Sequence, residues 1–116
     1  MENKKIVVQE EQDTIQAEQD TAIVVHLNKP LDYNGKIYDR ITLDLDKLTG
    51  KDSLDIEEEL MRRKKGAVIY GALNNDYVLA VAAKACREPI GSDAFLQMNM
   101  KDHLRVRDAV RNFLLR

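Results

Sequence analysis

A single cysteine, Cys86, stands in a chain of 116 residues, so no disulfide can close within it. That count argues against the oxidising compartments where small domains are stapled by cysteine pairs. Tryptophan is absent, and only two prolines, two phenylalanines and two histidines occur. Neither sign of charge dominates, with 18 Lys and Arg against 20 Asp and Glu for a formal net charge of −2. A general nucleic-acid binder usually carries a basic excess, which is missing here. No apolar run approaches the ~18 residues of a membrane span, and Met1–Gln9 has no apolar core of the ~7–15 residues that signal peptides use. These absences lead to the expectation of a cytoplasmic chain with neither nucleic acid nor membrane as partner.

What the chain does contain is 44% hydrophobic and 33% charged residues, a composition suited to a soluble globular fold. Its length favours one domain with one core. Residues 1–20 hold six acids against Lys4 and Lys5, and only Ile6-Val7-Val8 forms an apolar cluster. So little apolar surface does not offset the ~1–2 kcal/mol per residue of backbone ordering. The expectation is a mobile acidic N-terminal arm over 1–20 and a single α+β domain over 21–116.

From Ile23 to Asp46 the apolar residues recur every second position: Ile23, Val25, Leu27, Leu31 and Tyr33, then Ile37, Ile41, Leu43 and Leu45. Residues two apart share one face of a strand, so the pattern predicts an antiparallel hairpin with one apolar face. A three-residue loop, Tyr33-Asn34-Gly35, sets like residues opposite each other. It pairs Asp32 with Lys36, Leu31 with Ile37, Lys29 with Asp39, Leu27 with Ile41, Val25 with Leu43, and Ile23 with Leu45. Gly35 then takes the left-handed position such a loop requires. Pro30 lacks an N–H, so the first strand is expected to be an edge, or to bend, there.

Helices are expected to cover that face. Asp52 or Ser53 is a cap for one running to about Lys65, where Gly66 ends it. Its stripe is Leu54, Ile56, Leu60 and Met61, with Glu58–Arg62 and Glu59–Arg63 as i,i+4 pairs. Ala67–Tyr70 reads as a short third strand or a buried connector. Asn74, Asn75 or Asp76 caps a central alanine-rich helix from Tyr77 to about Arg87, closed by Pro89. Ser92 starts a short helix. A last one, from about Met100, lines up His103, Val106, Val110 and Phe113. The predicted fold is thus an N-terminal antiparallel β-hairpin packed on a small bundle of three to four helices.

Chemistry-bearing residues are sparse. His26, His103 and Cys86 fall in no HxxxH, CxxC or HxE spacing, so the usual zinc ligand sets are missing. Asp44, Asp46, Asp52 and Asp55 do not fit an EF-hand loop. Gly66–Gly71 carries neither a phosphate-loop lysine nor GxGxxG. No enzyme, cofactor or metal is expected. At the C-terminus Phe113, Leu114 and Leu115 are consecutive, and one helix face cannot bury all three. With Arg111 and Arg116 beside them, these five residues form the expected partner-binding surface.

The run Leu27-Asn28-Lys29-Pro30-Leu31-Asp32-Tyr33-Asn34-Gly35-Lys36-Ile37-Tyr38 resembles the opening of the phage tail assembly chaperone family of contractile-tailed phages and prophages. Ile41–Leu45 followed by Lys47–Asp52 is similar to that family's next segment. So are Tyr77–Ala85, Pro89, Asp102–Val106, Val110 and Asn112–Leu114, in order, which extends the likeness over about Leu27 to Leu115. Such proteins coat the helical tape-measure protein, keep it soluble, and leave it as tail-tube subunits polymerise. The resemblance therefore implies a non-enzymatic factor in the cytoplasm of the bacterial host. Its implied partners are the tape-measure protein and tail-tube subunits; a second copy of the chain is a further candidate partner, as a cover for the exposed residue among Phe113, Leu114 and Leu115. Two other readings are a structural tail component retained in the particle and, behind it, a small regulatory binding protein.

Overall fold

The Asn34-Gly35 pair sets the geometry of the first element. In the computed structural model, which describes residues 21–63 and 65–116, both sit at positive φ, 53° and 82°. Positive φ at both central positions makes a two-residue hairpin turn, whose twist matches that of the flanking strands. Strand β1 (Ile23–Tyr33) and strand β2 (Lys36–Leu43) therefore pair Tyr33 with Lys36, Asp32 with Ile37 and Leu31 with Tyr38. The three-residue loop and its pairs do not form. Beyond Leu31 the register slips, and Leu27–Pro30 stand opposite Asp39 alone before pairing resumes at His26 and Arg40. Val25 then faces Ile41, and Ile23 faces Leu43.

This slip keeps the same parity as the expected register far from the turn, so Val25, Ile41 and Leu43 are buried as predicted. Close to the turn the parity is reversed, and Ile37 is left 66% exposed while Leu31 points inward. Pro30 lies in the irregular stretch, where its missing N–H interrupts no ladder bond.

The other edge of β2 is taken by the segment Cys86–Glu88. Leu43 and Cys86 form an isolated antiparallel bridge, and the N–H of Arg87 donates to Thr42 O at 2.9 Å. The Glu88 carboxylate accepts the Thr42 N–H at 2.8 Å and the Thr42 hydroxyl at 3.1 Å, continuing the pairing with a side chain. Ala67–Tyr70 is neither a strand nor a buried connector: it joins no ladder, and Ile69 is 95% exposed.

Helix α1 (Gly50–Arg62) is capped by Thr49, not by Asp52 or Ser53. Asp52 instead closes a capping box, its carboxylate accepting the Thr49 N–H at 2.8 Å. Only Ile56 and Leu60 of the expected stripe are buried, and Leu54 and Met61 face outward. Glu59 takes both Arg62 and Arg63, at 2.6 and 2.9 Å, in place of the expected Glu58–Arg62 pair. Helix α2 (Asn75–Ala85) is capped by Asn74 and is the central element, packed on α1, β2 and the two helices that follow. It ends before Cys86, which lies in the bridge to β2 and not in the helix. Gly71 passes so close to Tyr77 that an added Cβ would lie 2.6 Å from its ring. The Tyr77 hydroxyl meets Ser53 of α1 at 2.6 Å.

Helix α3 (Ser92–Gln97) buries Ala94 and Phe95, and helix α4 (Met100–Leu115) buries Val106 and Val110. These elements confirm the α+β arrangement, a hairpin followed by a small helical bundle. Phe95, Ile41, Leu43, Val78, Val106 and Val110 are fully buried at its centre. The acidic arm expected over 1–20 lies outside the described residues.

Candidate partner-binding surfaces

The last helix divides the predicted C-terminal surface in two. Phe113 and Leu114 are half-buried and pack against the core, whereas Leu115 is 51% exposed and Arg116 is exposed. Arg111 is engaged by the fold: its Nε–H donates to Ala72 O at 2.7 Å and its NH2 group to Asn75 Oδ1 at 2.8 Å. It thereby ties the 3-10 turn Gly71–Leu73, ahead of α2, to α4. Arg107, one turn earlier, donates to the same Asn75 oxygen at 2.8 Å.

A second surface was not legible in the sequence. Helices α1 and α3 both lean on α2 and leave between them a groove of about 720 Å³. Leu79, Ala80 and Ala83 of α2 form its floor, with Ile56 and Leu60 of α1 on one side and Leu96 of α3 on the other. Leu96 is 70% exposed at that rim. Small alanine side chains allow close approach of another helix, and amphipathic helices commonly seat an apolar stripe in such grooves. Around it Glu59, Arg62, Arg63, Asp76 and Asp93 place both signs of charge.

The residues weighed for catalysis are separated by the fold. His26 is exposed on β1, while His103 is turned inward with Nδ1 at 2.8 Å from Phe95 O. Burial, aided by the Glu88 carboxylate, pushes the Cys86 thiol up to about 12, so at neutral pH it is a protonated core group and not a nucleophilic thiolate. Among the described residues no group of three or more His, Cys, Asp or Glu converges to hold a metal ion. Nor is any described helix long and apolar enough to cross a membrane.

One charged side chain, Asp102 of α4, is fully buried. Its carboxylate accepts the N–H of Asn28 at 2.9 Å, that of Lys29 at 3.1 Å, and Arg105 at 3.1 Å. Burial alone would raise its pKa, but the two amides and the guanidinium together hold it below the usual aspartate value. Arg105 also donates to the carbonyl of His26, so α4 engages β1 both within the slipped stretch and at the paired residue just before it.

Comparison of the chain with protein-family models, with curated proteins and with solved structures returns no match.

Proposed function

We propose that this protein is a tail assembly chaperone that binds a phage tape-measure protein and keeps it soluble while the tail is built. The sequence likeness over Leu27–Leu115 supports the reading, and the groove over α2 is the structural observation that carries it. A tape-measure protein presents long apolar helical stripes. A shallow, alanine-floored groove edged by the exposed Leu96 suits one such stripe at a time. Its open, mixed-charge rim favours moderate affinity, which allows tail-tube subunits to displace the chaperone.

The test is protein mass spectrometry of purified particles beside the lysate that made them. The chain is expected in the lysate and absent from finished particles. Stoichiometric retention in the particle would overturn the chaperone reading in favour of a structural tail component.

A further inference from the structure

Two arginines on α4 share a single neutral oxygen. Arg107 and Arg111 each donate to Asn75 Oδ1 at 2.8 Å, and among the described residues neither forms an ion pair with a carboxylate. The Arg107 Nε–H is buried with no acceptor among the described residues. Asn75 is the first residue of α2, so the positive end of that helix adds to the two guanidinium charges. By contrast, three other arginines meet carboxylates, Arg62 and Arg63 at Glu59 and Arg87 at Asp44.

The arginines lie between exposed leucines. Leu104, Arg107, Arg111 and Leu115 are spaced by three, four and four residues, which sets them along one side of α4 over about three turns. Leu104 and Leu115 are exposed at its two ends, and Leu73 is exposed beside Asn75. The face has leucines at both ends and unpaired positive charge in the middle.

We propose that this face is a receptor for a helix of a partner protein that carries carboxylate side chains between apolar residues, its acids replacing Asn75 as acceptors for Arg107 and Arg111. Charge complementarity selects the occupant, and the flanking leucines select a protein helix over a free anion. The proposal names the chemistry of a partner and deepens the chaperone reading, but it stands on contacts separate from the groove.

The test uses the full 15N-labelled chain and a synthetic helical peptide with two Glu residues between two Leu residues on one face. A twin peptide has Gln in place of both Glu. The Glu peptide is expected to shift the Arg107 and Arg111 Nε–Hε resonances and to bind about tenfold more tightly than its twin. Asn75→Asp gives both arginines an internal carboxylate, so this variant should melt no lower than wild type and lose that preference. Arg107→Gln, which spares the Arg111 bond to Ala72, should weaken the preference as well. Equal binding of the two peptides, or an unchanged preference in a folded Asn75→Asp chain, would overturn the proposal. So would binding that appears only after residues 1–20 are removed, which would assign the receptor to the chain's own acids. Inorganic phosphate shifting the same resonances as far as the Glu peptide does would overturn it in favour of a phosphate site. Function is read separately: a tape-measure protein solubilised equally by wild type and Asn75→Asp keeps the chaperone reading and rejects this receptor.

Discussion

The carboxylate of Asp102, on the last helix, holds the backbone N–H of Asn28, 74 residues earlier in the chain, at 2.9 Å. With the Lys29 N–H at 3.1 Å it supplies acceptors to the stretch of β1 that has lost its ladder partners. A buried amide without an acceptor costs ~1–3 kcal/mol, and two are at stake here. Asp102→Ala should therefore destabilise the domain by about 2–4 kcal/mol, measured by urea denaturation. A loss below about 0.5 kcal/mol would mean that water replaces the carboxylate without cost.

The same geometry sets the acid limit of stability. For Glu88 burial works upward, but its bonds from Thr42 and Cys86 outweigh it and hold the carboxyl below its ordinary value, as the amides do for Asp102. Depressed folded values mean that the unfolded chain binds more protons in acid. The stabilisation is thus complete above the unfolded pKa near 4 and is lost as pH falls through the lower folded values. Denaturation between pH 7 and pH 3 should show this decline, and it should be shallower in Asp102→Asn and in Glu88→Gln.

Cys86 works in the opposite sense. Its thiol is raised to about 12 by burial and by Glu88, so the folded chain keeps a proton that the unfolded chain releases above about pH 8.5. Its contribution is full below that pH and is lost as pH rises towards the folded value. Alkylation of native protein at pH 8 should be slow and should accelerate on unfolding, as followed by mass spectrometry.

At the turn, both Asn34 and Gly35 occupy the left-handed region. Gly35→Val should destabilise by about 1–2 kcal/mol, since a β-branched residue is disfavoured there. Asn34→Gly should be nearly neutral, because glycine accepts the same conformation. Thermal melts of the two variants check both outcomes.

The parts of the fold visible in the sequence are those specified by near neighbours. Val106 and Val110 mark α4 by their 3.6-residue repeat, and Asn74, one of three candidate caps, marks the start of α2. The hairpin strands are legible, but their register is not. Apolar pairing favours one uniform register, whereas the Asn34-Gly35 turn imposes another, and the slip at Leu27–Pro30 restores the parity of the first without its pairs. That slip depends on Asp102, a distant residue whose position on the Val106–Val110 stripe was the available signal for a buried acid.

The candidate surfaces divide the same way. Exposure of Leu115 follows from three consecutive apolar residues, which local geometry decides. The anchoring of Arg111 does not, because one of its acceptors is the backbone carbonyl of Ala72, 39 residues away in the 3-10 turn Gly71–Leu73. The groove over Ala80 and Ala83 depends on how α1 and α3 lean on α2, which no local pattern encodes.

The central claim is tested most directly by the soluble fraction of the tape-measure protein of the same genome, expressed alone and together with this chain. The account predicts a clear gain in solubility with the wild-type chain, and loss of most of that gain with Leu96→Asp at the groove. Leu115→Asp in parallel reads the contribution of the α4 end. A tape-measure protein no more soluble with the wild-type chain than alone would contradict the account.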